Sequence, residues 1–137
     1  YCGGLKDGTF KIIAGGPMMG MAQYTCDIPV AKGTGAMLAF AADENRYSDN
    51  PTCIRCGRCV EACPVHLEPL YLYMYEQKNM IEELEAANIM DCMECGACAY
   101  ICPGRLHLTQ TFKTGKQKVK EAAAKRKAAA EAAKKEA

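Results

Sequence analysis

The sequence predicts an α+β fold, and three observations carry that prediction. Residues 1–42 are glycine-rich with short apolar runs bounded by Gly and Pro, which favours strands. The stretch between Cys63 and Cys92 has room for a full helix. Residues 116–137 are dominated by Ala, Lys and Glu, which are strong helix formers. The expected order is strands, then a mostly helical cysteine-rich module, then a helical or disordered tail.

In chain order, Phe10–Ala14 and Ala36–Ala42 are the apolar runs expected as strands. Gly15-Gly16-Pro17 and Lys32-Gly33-Thr34-Gly35 supply turns between them. The run Ala14 to Gly20 has neither the G-x-G-x-x-G spacing nor the Lys-Ser/Thr ending of a nucleotide loop. It is read as a tight strand-to-turn connection, with Met18, Met19 and Met21 as packing residues. Residues 43–52, rich in Asp, Asn and Ser with Pro51, read as a polar linker.

Pro69 suits the first turn of a helix running to about Ile89. Leu70, Tyr73, Met74, Gln77, Ile81, Leu84 and Asn88 would share one stripe of it. The alternation from Tyr71 to Tyr75 also fits a strand, but Pro69 before it and the Glu/Ala run after it favour helix. The tail carries Glu121–Lys125 and Glu131–Lys135 at i, i+4 in the favourable order. No apolar stripe runs along it, so it is expected to pack no core.

Composition narrows the function classes. The longest uninterrupted apolar run, Ala36–Ala42, is too short to span a bilayer. The start Tyr1-Cys2-Gly3-Gly4 has no Met and no signal-peptide pattern, and reads as the interior of a longer chain. The net charge of +1 hides an asymmetry. Residues 116–137 hold 8 basic and 3 acidic side chains, and the remaining residues hold 9 and 13. That balance gives no sign of a nucleic-acid partner. The basic tail could meet anionic lipid or an acidic subunit surface.

Ten cysteines in 137 residues are far above ordinary usage, so cysteine chemistry has to be explained first. Sliding the sequence along itself superimposes Cys53, Cys56, Cys59 and Cys63 on Cys92, Cys95, Cys98 and Cys102. In the same alignment Gly57/Gly96, Pro64/Pro103 and Leu67/Leu106 match as well, which marks an internal duplication. Each copy spells Cys-x2-Cys-x2-Cys-x3-Cys-Pro, the bacterial [4Fe–4S] pattern in which the fourth Cys serves the other cluster. Three thiolates at this even spacing can wrap three corners of a cube if the backbone turns tightly. Gly57 and Gly96 permit that turn. The expected ligand sets are Cys53, Cys56, Cys59 and Cys102 for cluster I, and Cys92, Cys95, Cys98 and Cys63 for cluster II.

Other readings are weaker. Disulfides need an oxidising compartment, and such short spacings close poor loops. Zinc knuckles would leave the third Cys of each triplet superfluous. A metal-stabilised scaffold without redox function stays open. Cys2 and Cys26 have no ligand-spaced neighbour and read as free or incidental thiols. His66 and His107 follow the Cys-Pro pairs and read as ordinary local residues. No acid, base or nucleophile is arranged for substrate chemistry, so the expected role is carrying electrons. Arg55 and Arg58 against Glu61 leave the first motif net +1, while the second holds only Glu94. On charge alone, cluster I is expected to have the higher potential.

Gly15-Gly16-Pro17-Met18-Met19-Gly20, then Pro29-Val30 and Lys32-Gly33-Thr34, then the doubled cysteine motif, resemble the C subunit of the Rnf electron-transport complex. The Ala/Lys/Glu tail is similar to C-terminal extensions in that family. The resemblance implies that residues 1–42 belong to a soluble-ligand-binding β-grasp domain and 53–115 to a two-[4Fe–4S] ferredoxin-like domain, with 43–52 a linker and 116–137 a basic tail. It also implies FMN and NADH sites only on a missing upstream part. The implied setting is a peripheral subunit on the cytoplasmic face of the cell membrane. There it would serve an ion-translocating NAD:ferredoxin oxidoreductase, with flavin or iron–sulfur subunits as redox partners. The runner-up is the iron–sulfur part of a cobalamin reductase of diol-utilising microcompartments.

Overall fold

The computed structural model describes residues 3–42 and 51–135, with side chains through Ala133. Most of the expected linker, Cys2 and the Lys135 side chain lie outside the described residues. The chain divides into two compact units, Tyr1–Pro51 and Thr52–Ala137.

The first unit is a three-stranded antiparallel sheet. Its strands are β1 (Thr9–Ala14), β2 (Met21–Gln23) and β3 (Met37–Ala41), in the order β2-β1-β3. β1 pairs Ala14 with Met21 on one side and with Met37 on the other. The register slips once, between Thr9 and Lys11. β2 was not expected, because so short a strand carries no readable alternation. The Gly15–Gly20 segment is the expected strand-to-turn connection, closed by the Gly20 amide donating to the Gly16 carbonyl at 2.8 Å. A Cβ on Gly20 would strike the Ile13 side chain and the Gly16 carbonyl, so glycine is required there. Met18, Met19 and Met21, expected to pack, are exposed. Among the described residues of this unit only Ile13 is buried.

The second unit is helical throughout its regular structure: α1 (Arg58–Glu61), α2 (Pro69–Gln77), α3 (Ile81–Ala86), a 3-10 turn at Ile89–Asp91, α4 (Ala97–Ile101) and α5 (Leu108–Lys135). The single helix expected from Pro69 to Ile89 is broken. Asn79 takes a left-handed φ of 53°. The Asn79 amide then donates to Glu76 O and the Met80 amide to Tyr75 O, both at 2.9 Å, closing the end of α2. Asn88, at φ 54°, ends the next segment in the same conformation. The buried face of α2 is also rotated from the expected stripe: Leu72 and Glu76 are buried, Leu70 and Tyr73 half-buried and Gln77 exposed, while Leu84 is buried as expected.

The tail expectation is corrected too. Helix α5 begins at Leu108 and runs without a break through the start of the basic segment. Phe112 and Val119, at 1% and 4% exposure, join Leu72, Leu84, Ile89, Leu106 and Leu108 in one core. Each fully buried Leu, Ile or Phe stabilises the unit by about 1.5–3 kcal/mol. Lys118 pairs with the buried Glu76 at 2.7 Å and donates to Asn79 Oδ1 at 2.6 Å. Lys116 and Arg126 pair with Glu94 and Glu85. Part of the tail's basic surplus is therefore matched by acids of its own unit.

Candidate metal centre

The internal repeat is built into the backbone. Arg55 and Glu94 sit at φ 56° and 58°, Gly57 and Gly96 at 78° and 81°, and His66 and Arg105 at 54° and 50°. A non-glycine residue in the left-handed region costs about 1–2 kcal/mol. The same cost recurs at matched positions, as a fixed loop shape demands. The Arg55 amide donates to Cys53 Sγ and the Glu94 amide to Cys92 Sγ, each at 3.4 Å. The Leu67 amide donates to Cys63 Sγ at 3.3 Å. These loops aim amides at thiol sulfur and leave the Cys-Pro turns to redirect the chain. The starts of α2 and α5, Pro69 and Leu108, are also equivalent positions of the repeat.

Two cavities result. One is lined by Cys53, Cys56, Cys59 and Cys102, with Leu70 and Gly104 among its walls. The other is lined by Cys63, Cys92, Cys95 and Cys98, with Thr109 and Phe112 among its walls. Each triplet thus meets the fourth cysteine of the other repeat. Gly104 passes so close to the Thr52 backbone that a Cβ there would collide with the Thr52 carbonyl. The chain after Cys102 is thereby held against the start of the first loop.

Electrostatics in the two cavities suit a cationic metal core. Burial first, and then the neighbouring Cys92, Cys95 and Cys59 sulfurs, together push the Cys98 thiol up to about 12. Burial also raises Cys59 and Cys92. Thiolates crowded into a dry cavity are costly alone, and bound metal reverses that cost by holding them deprotonated. Among the described residues, no three His, Cys, Asp or Glu side chains converge as one ion requires. Four sulfurs around one zinc at about 2.3 Å would lie about 3.8 Å apart. Four thiols spread around each cavity fit the four-cysteine ligand set of a multi-iron cluster.

His66, His107 and Cys26 are exposed and line neither cavity. Three residues escaped the motif reading. Lys116 Nζ donates to the Cys92 carbonyl and to Glu94 Oε1, the latter at 2.8 Å. It thereby neutralises the one charge counted against the second loop, so the charge difference between the loops is smaller than their motifs suggest. Leu70 and Thr109, equivalent positions of the repeat, occupy matched places in the two walls. Among the described residues, Thr109 Oγ1 is the buried side-chain oxygen without a hydrogen-bond partner. An unmet buried donor costs about 1–3 kcal/mol, which an acceptor inside the cavity would relieve.

The sequence profile of the 4Fe-4S dicluster domain matches residues 45–103. The chain is 46% identical over 118 residues to the C subunit of the Na(+)-translocating ferredoxin:NAD(+) oxidoreductase complex of Acetobacterium woodii, covering 86% of this chain and 27% of that one. It is 45% identical over 92 residues to the proton-translocating counterpart of Clostridium ljungdahlii, covering 66% and 20%. It is 45% identical over 121 residues to the C subunit of an ion-translocating oxidoreductase complex of Rhodobacter capsulatus, covering 88% and 23%. The chain spans about a quarter of the length of these curated relatives. Its two cysteine-lined cavities are formed by the matched segment together with residues between Gly104 and Phe112. By sequence and by site, the chain carries a 4Fe–4S dicluster domain and is homologous to part of the C subunits of Rnf-type ion-translocating oxidoreductase complexes.

Proposed function

We propose that this chain passes electrons through two [4Fe–4S] clusters, one held by Cys53, Cys56, Cys59 and Cys102 and the other by Cys63, Cys92, Cys95 and Cys98. The observation that carries the reading is the pair of cavities, each joining a triplet to the crossed cysteine. The clusters supply one-electron chemistry, and the chain's own residues hold and insulate them. Arg55 and Glu94 amides donate to ligand sulfur. Leu70, Leu106 and Leu108 give the first cavity apolar walls, and Leu72 and Phe112 do so for the second.

The relatives' names support a role within an ion-translocating ferredoxin:NAD oxidoreductase, docked against other subunits that deliver and accept electrons. The homology also supports association with such a complex, and a peripheral place on its cytoplasmic face is part of the proposal. No helix among the described residues is long and apolar enough to cross a membrane. The test is anaerobic reconstitution of the chain with iron and sulfide. Four irons and four acid-labile sulfides per cluster, with paramagnetic signals on reduction, are expected. Zinc without labile sulfide would sink the proposal.

A further inference from the structure

The two cavities are related by the repeat, and among the matched positions where their walls differ is one that sets a leucine against a hydroxyl. The first presents Leu70 from the opening turn of α2, and the second presents Thr109 from the opening turn of α5. Leu70 has no donor. Thr109 carries a hydroxyl that is buried and finds no acceptor among the protein atoms around it. A helical threonine commonly returns its hydroxyl to a carbonyl of the preceding turn, as Thr111 does to His107 O at 3.0 Å and Thr114 to Gln110 O at 3.2 Å. Thr109 is placed too near the start of α5 for a helical carbonyl to lie behind it.

Resting on the cluster reading above, we propose that Thr109 positions an O–H donor toward the group held by Cys63, Cys92, Cys95 and Cys98, and that this raises its reduction potential relative to the Leu70 side. Reduction adds an electron and hence negative charge to the cluster and its sulfurs. A donor to sulfur therefore stabilises the reduced form more than the oxidised form. Lys116, on the same helix and bonded to the Cys92 carbonyl and Glu94, cancels the Glu94 charge on the same side. Arg55, which lines the first cavity, and Arg58 are both exposed to solvent that screens them. With the second loop's charge cancelled, the Thr109 donor opposes the order expected from counting motif charges.

Redox titration by paramagnetic resonance on the reconstituted full chain tests the inference, with signals first assigned by Cys56→Ser and Cys95→Ser. Thr109→Val keeps the shape and removes the hydroxyl. It should lower the midpoint of the second cluster, by up to tenfold in the reduction equilibrium or about 59 mV for one electron, and leave the first in place. Thr109→Ser should retain the wild-type midpoint. Leu70→Thr offers an independent reading, because a new hydroxyl in the first cavity should raise that cluster's midpoint. Unchanged midpoints in both Thr109→Val and Leu70→Thr would overturn the inference, as would equal shifts in the valine and serine proteins. Iron and sulfide contents, measured on the same samples, report on the cluster reading separately: normal contents with unmoved midpoints refute the hydroxyl's role alone.

Discussion

The loops Cys53–Cys59 and Cys92–Cys98 follow one backbone path, with left-handed residues at matching positions and amides donated to matching sulfurs. Beyond the loops the two repeats part. After the first, the chain runs as the 9-residue α2, stops at Asn79 and restarts as the short α3. After the second, it runs as the 28-residue α5, which carries Thr109, Phe112, Lys116 and Val119. Ligand geometry is thus held constant across the duplication, while the packing around it has diverged. Loop shape is set by the four-thiol task, and the surrounding layer is free to tune each site.

The largest effect is expected at the crossing. Cys63→Ala should abolish the cluster of the Cys92–Cys98 loop while the Cys53–Cys59 loop keeps all four thiols, read as loss of one set of paramagnetic signals. Loss of the sequence-adjacent set would reverse the ligand assignment. Next in size, Leu84→Ala removes a fully buried side chain that lines neither cavity. It should cost about 2–5 kcal/mol in unfolding and favour neither cluster. A selective loss of one cluster would show that the core does not serve both halves alike.

Smaller effects separate the halves. Gly104→Ala forces a Cβ against the Thr52 carbonyl, at about 1–3 kcal/mol for overpacking. Faster chelator-driven iron loss should appear at the cluster of Cys53 first. Lys116→Gln removes a pair whose lysine side chain is only 14% exposed. About 1–2 kcal/mol is expected, with a lowered midpoint confined to the cluster of Cys92. Equal shifts at both clusters would mean that Lys116 acts through the fold rather than on its neighbouring loop.

Much of the metal centre is readable from the sequence because ligand spacing is a local property. Eight cysteines at repeated intervals, with Gly57 and Gly96 between them, define two loops before any packing is known. The break after α2 left a weaker trace, since Asn79 is of a residue type that tolerates a left-handed helix end. The rest was not local. Glu94 and Lys116 meet from different elements, and Val119 reaches the core from a segment whose neighbours are Lys and Glu. The meaning of Thr109 depends on a cavity wall and an absent acceptor, which no periodicity reports.

The crossed cysteines also bear on chain topology. With the proposed ligand sets, one cluster ties Cys59 to Cys102 and the other ties Cys63 to Cys92, so the smaller closed segment lies inside the larger. Each acts on the unfolded chain as a covalent cross-link would. In the chain-entropy treatment of disulfides, loops of these lengths are worth roughly 4 kcal/mol apiece. The nesting gives the ties an order. Closing the inner loop first shortens the free path between Cys59 and Cys102, which makes the outer closure less costly. Assembly of the two clusters is therefore cooperative by connectivity alone, before any contact between them is counted.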